Sequence, residues 1–120
     1  KILISRFKGT LSDQTLADYA NQLINGGHLA RHDLELVDGS LITEVTLTPA
    51  GQQHLKNLAI DNKKLLQNYR LAMLAPTDLV FGMFRMWEMN IDHLGYPVRV
   101  FRQREAAMNW LLLAQRSFKA

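Results

Sequence analysis

The stretch from Tyr69 to Leu113 limits the fold of this chain more than any other. It opens with a short apolar run at 71–75 and a turn at Pro76-Thr77-Asp78. A long apolar helical segment follows and breaks at Gly95-Tyr96-Pro97. A second β-type run at 98–101 then leads into a helix beginning at Gln103 or Arg104. Strand, helix, strand and helix succeed one another with turn chemistry at each join. The run at 71–75 is apolar at every position, as expected of a strand covered on both faces. Arg99, in the middle of the other run, predicts an edge strand, where one side chain reaches water.

The upstream half repeats the alternation. Residues 2–7 read as a strand that ends at residues 9–13, with Thr10 or Ser12 available to cap a helix. Leu16, Tyr19, Ala20, Leu23 and Ile24 recur at helical spacing until Asn25-Gly26-Gly27 stops them. Residues 34–37 form a second short strand, and Asp38-Gly39-Ser40 signals a turn. Residues 41–47 alternate (Leu41, Thr43, Val45, Leu47) but read as an ordered connection. Thr48-Pro49 then starts a helix, threonine as cap and proline at the first helical position, with Leu55, Leu58, Ala59, Leu65 and Leu66 as its stripe. In the helix from Asp78 to about His93, Val80, Phe84, Trp87 and Ile91 share a face that Leu79, Met83, Met86 and Met89 widen. The last helix carries Ala106, Ala107, Trp110, Leu111 and Leu113, and residues 117–120 read as a fraying tail. The expectation is one α/β domain over residues 1–120. Its order is a right-handed βαβαβαβα with a mostly parallel or mixed sheet of four or five strands.

Composition narrows the function. The 120 residues hold no cysteine, which removes disulfides, thiolate metal sites and cysteine nucleophiles. A net charge of +3 is too mild to imply nucleic acid, and no run approaches the ~18 apolar residues of a membrane span. Lys1 leads into Ile2-Leu3-Ile4, too short for a signal-peptide core. The chain does not open on methionine, so a preceding segment, with a leading strand in it, is left open. Phosphate loops and nucleophile elbows are absent. His28 and His32 lie four apart but lack a third ligand, and His54 and His93 read as isolated surface histidines. Arg99, Arg102 and Arg104, with Lys8, cluster near the carboxyl ends of the strands, where open α/β sheets bind ligands.

The segments 71–88 (LAMLAPTDLVFGMFRMWE), 98–102 (VRVFR) and 105–111 (EAAMNWL) resemble the SpoIIAA-like superfamily, the fold of STAS domains and anti-sigma-factor antagonists, and within it a branch of small bacterial proteins. The N-terminal half follows the family by pattern only, and family members often begin with an extra strand. The resemblance implies a SpoIIAA-like (STAS-like) fold and a non-enzymatic, cytoplasmic regulatory or protein-interaction module. It implies no cofactor and no metal, with a protein partner or a second copy of the chain as the binding partner. Signalling STAS domains carry Asp-Ser-Ser-Gly where their second helix begins. Thr48-Pro49-Ala50-Gly51 occupies that position here, so alanine replaces the phosphorylated serine. Thr48, Thr46 and Ser40 remain as candidate phosphoacceptor or anion-binding residues.

The alternative reading is a carrier of a small hydrophobic molecule or lipid in a cleft beside the helix that starts at Asp78. Methionine adapts to irregular surfaces, so Met83 together with Phe81, Phe84, Trp87 and Asp78 forms the candidate ligand or partner surface. Packing of this helix against the sheet is the plainer reading of the same residues, and Phe81, on the face away from Val80 and Phe84, separates them, since exposure there would call for a covering partner.

Overall fold

The computed structural model describes residues 2–91 and 94–119. His93, Lys1 and Ala120 lie outside the described residues. Four strands, β1 (Ile2–Leu11), β2 (Leu34–Val45), β3 (Arg70–Leu74) and β4 (Val98–Phe101), lie in sequential order in one sheet, and every pairing is parallel. Between them run α1 (Asp13–Asn25), the single turn α2 (His28–Arg31), α3 (Pro49–Asp61) and α4 (Asp78–Asn90), and α5 (Arg104–Lys119) follows β4. The alternating α/β order and the parallel sheet are those expected from the sequence.

Local chemistry sets the joins. Ser12, Thr48 and Thr77 each cap a helix by accepting the amide of the residue three positions on, and Pro49 opens α3. Gly27, at φ +78, supplies the left-handed residue between α1 and α2. The histidine pair is thus split between the helical turn that His28 opens and the extended residue His32 that caps it. Among the described residues no group of acidic or histidine side chains could hold a metal.

The strands divide the core in two. On one face Phe7, Val37, Leu71 and Met73 pack with Leu29, Val80 and Phe84, and α1, α3 and α4 lie over them. On the other, Leu34, Leu36, Ala72 and Leu74 pack against Ala107 and Leu111 of α5. Arg70 lies on this second face, its guanidinium 4.0 Å from the Trp110 ring. β4 is an edge, and Arg99 on it is exposed. Leu113, expected in the apolar stripe of α5, is exposed.

Three expectations are corrected. β1 and β2 are longer than predicted. Asp38-Gly39-Ser40 is no turn but part of a continuous twelve-residue β2, and residues 41–45 are strand rather than connection. The turn chemistry appears as a bulge: Arg6 faces Asp38 and Lys8 faces Leu41, so Phe7 alone spans Gly39 and Ser40, and a second shift follows at Gly9. The ladder to β1 gives this segment backbone partners that a local reading cannot see. Finally, α3 ends at Asp61 with Asn62 as its cap, so Leu65 and Leu66 fall in the turns that follow.

Gly39 lets α4 approach the sheet. A β-carbon there would lie 2.8 Å from the Phe84 ring and 2.9 Å from both a Val80 methyl and the Leu74 carbonyl. Gly39→Ala should therefore lower stability by about 1–3 kcal/mol, read as a fall in the urea midpoint with an unchanged slope; an unaltered midpoint would refute the close packing.

Candidate functional site

α3 contains no fully buried residue and rests on α1 rather than on the strands. Its N-terminus is tied to α1 by Asp13: the Thr48 amide donates to Oδ1 at 2.9 Å and the Thr48 hydroxyl to Oδ2 at 2.6 Å. These two bonds, the hydroxyl's first, hold the Asp13 carboxyl below its ordinary range. The aspartate lies against Gly51, where an added β-carbon would come 2.0 Å from Oδ1. A side chain at Gly51 would thus have to push the Asp13 carboxylate away from Thr48.

Between α3 and the sheet lie two cavities of about 70 and 50 Å³. Tyr19, Leu55, Leu71 and Trp87 line both, so side chains alone separate them. Phe7, Met73, Met83 and Phe84 complete the smaller chamber. Leu23, Leu58, Ala59 and Leu66 line the larger one, together with Glu35, Tyr69 and Tyr96. All three tyrosines of the chain therefore converge on one space.

Glu35 is 0% exposed. Its Oε2 accepts the Tyr19 hydroxyl at 2.6 Å and the Ser5 hydroxyl at 2.7 Å, and its Oε1 accepts the Tyr69 hydroxyl. Burial pushes the Glu35 carboxyl up, opposed by the three hydroxyls and by the nearby His28. Burial also raises the Tyr19 and Tyr69 hydroxyls far beyond the phenol range, with Glu35 adding to the effect, and pushes Tyr96 up to about 12.

The residues expected at a working surface separate into distinct places. Met83, Phe84 and Trp87 meet at the smaller chamber. Phe81 is half-buried under the Arg102 guanidinium, 4.2 Å from its ring, and Arg102 also bonds Asp78 at 2.6 Å. The exposed apolar residues of α4 are instead Leu79, Met86 and Met89, at 56%, 60% and 68%. Thr46, Thr48 and Ser40 are exposed. Thr46 donates its amide to the Leu11 carbonyl at 2.9 Å, and the Ser40 amide donates to Asp38 Oδ1 at 2.9 Å. Of the arginines expected to cluster, Arg102 bonds Asp78 and Arg104 reaches Asp38 at 3.4 Å, as Arg6 of β1 also does, while Arg99 lies 5.4 Å from the Phe101 ring.

Glu35, Tyr69 and Tyr96 were not among the expected site residues. In the sequence Glu35 reads as the polar position of an alternating Leu-Glu-Leu run. The available signal was that an internal parallel strand has no solvated face, so a glutamate within it must be enclosed.

No protein-family model matches the chain, and no curated protein matches it. Among solved structures, an uncharacterised protein of the DUF3478 family from Shewanella loihica PV-4, described as having a SpoIIAA-like fold, aligns with a TM-score of 0.58. The match is at 15% identity and covers 88% of this chain and 80% of that one. The chain thus has a SpoIIAA-like fold, as the resemblance implied. Among the described residues no helix is long and apolar enough to cross a membrane.

A carboxyl raised on folding binds protons more tightly in the native state, so its contribution to stability is complete below the ordinary glutamate range and is lost as pH rises through the folded value. Relative to Glu35→Gln, the wild type should lose stability from about pH 4 upward, by at most about 1.4 kcal/mol per pH unit. Parallel urea titrations of the two proteins across pH check this, and a difference independent of pH would contradict it.

Proposed function

We propose that this protein is a non-enzymatic binding module whose cleft between α3 and the sheet takes a small apolar molecule. The observation that carries the reading is the two adjoining chambers under a helix that buries no residue of its own. Their walls are apolar except for Asn62, Gln52, Glu35 and the tyrosines, the pattern of a small-molecule site with a few oriented polar groups. Each chamber is smaller than the ~150 Å³ cavity that accepts benzene. Rotation of Trp87 or Leu55 would join them, and α3, tied to α1, could shift without disturbing the sheet core.

A chemical step has little support beside this binding role. The hydroxyls of Tyr19 and Tyr69 are pushed up rather than down, which makes them poor nucleophiles and bases, and Glu35 already accepts three hydroxyls. Regulation through Thr48 is disfavoured by Asp13, since a phosphate on that hydroxyl would face a carboxylate and lose the helix cap. A second reading, an interaction module, rests on the outward apolar row Leu79, Met86 and Met89 of α4.

Two measurements address these readings. In a series of straight-chain alkanols from butanol to decanol, the melting temperature should rise by several degrees at saturating concentrations. Ala59→Phe, which fills the larger chamber from α3, should abolish that rise; no rise with any alkanol would dismiss the cleft. For the second reading, sedimentation should show self-association that Met86→Lys with Met89→Lys removes, and a monomer at all concentrations would count against a self-associating face.

A further inference from the structure

The cleft reading leaves open which polar group a ligand carries, and the walls themselves are selective. Among the residues lining the two chambers, Glu35 is the single one of formal charge; no lysine or arginine reaches either space. An ionised carboxylate accepts hydrogen bonds and cannot donate them. Its two oxygens offer about four accepting positions. Ser5 and Tyr19 occupy Oε2, while Oε1 takes Tyr69 alone. Oε1 therefore keeps a lone pair for one further donor, which reaches it only when the side chains around the fully buried Glu35 move aside.

The surroundings of that oxygen add a second preference. Tyr19, Tyr69, Tyr96 and Trp87 all line the chamber that Glu35 lines. Four aromatic side chains in a chamber that also holds one carboxylate suit a positively charged nitrogen, which is attracted to aromatic rings as well as to the anion. A carboxylate head would meet a like charge with no lysine or arginine among the lining residues to offset it, at a burial where that repulsion is poorly screened. The adjoining chamber, past Trp87 and Tyr19, is lined by Phe7, Leu16, Met73, Met83 and Phe84 and supplies an apolar slot for the rest of the molecule.

We propose that the cleft is selective for small apolar amines: an ammonium group donates to Oε1 of Glu35 within the ring of Tyr19, Tyr69, Tyr96 and Trp87, and a short hydrocarbon or aromatic body lies in the chamber beyond Trp87. This inference rests on the cleft reading and deepens it by naming the ligand class. Fatty acids and other apolar carboxylates are the class the site rejects.

The test uses the intact chain and three probes of equal length, hexylamine, hexanol and hexanoate, titrated by calorimetry at neutral pH. The amine should bind at least about tenfold more tightly than the alcohol, as a charge-assisted bond to a buried carboxylate implies, and hexanoate should bind most weakly. In Glu35→Gln the preference for amine over alcohol should vanish while hexanol still binds. Equal binding of the three probes to the wild type, or best binding of hexanoate, would overturn the amine assignment and leave the cleft standing. Binding of none of them, with Ala59→Phe indistinguishable from wild type, would overturn both. The wild-type series alone decides the ligand class, should Glu35→Gln fail to fold.

Discussion

A wholly parallel sheet with helices on both faces leaves its internal strands no side open to water, and the rest of this structure answers to that constraint. β2 and β3 lie inside the sheet order. Their side chains alternate between the layer under α5 and the layer under α1, α3 and α4. Leu34, Leu36, Ala72 and Leu74 take the first, and Val37, Leu71 and Met73 take the second. Glu35 belongs by this alternation to the second layer. Its carboxylate must be supplied with donors from within the protein, because an unpaired buried charge costs far more than it returns. Ser5 on β1, Tyr19 on α1 and Tyr69 before β3 provide them, so this one side chain ties three separate parts of the chain together.

The same layer is incompletely filled, and the reason lies with α3. α4 sits close to the strands because Gly39 removes the side chain that would hold it off. α3 has no such device. Its contacts run sideways to α1, where Asp13 receives both the amide and the hydroxyl of Thr48, and its inward residues Leu55, Leu58 and Ala59 stop short of the sheet. What remains is an apolar space floored by β-strand side chains, with a polar group at one end. A helix anchored at one terminus and thinly packed along its length is also an element with a small cost of displacement.

Much of the architecture was legible in local chemistry. Thr48-Pro49, Ser12 and Thr77 fix helix starts through short-range bonds that need no tertiary partner, and the unbroken apolar run at 71–74 announces a strand covered on both faces. The errors in β2 share one cause. Asp38-Gly39-Ser40 has the composition of a turn, yet the ladder to β1 absorbs it as a bulge, and the alternation that follows at 41–45 continues the same strand. Met83, Phe84 and Trp87 were grouped from helical spacing and do meet at one chamber. Phe81 was grouped with them and instead lies beneath Arg102, a residue 21 positions away that spacing along one helix cannot register.

The sequence alone determined the succession of strands and the four long helices and where those helices begin, since caps, prolines and apolar periods act over a few residues. The tertiary structure alone decided that Glu35 is enclosed and that Tyr19, Tyr69 and Tyr96 converge on its cavity. It also decided that the row facing outward on α4 is Leu79, Met86 and Met89. Those outcomes depend on which strand stands beside which and on how far each helix stands from the sheet, distances set by packing between residues remote in the chain.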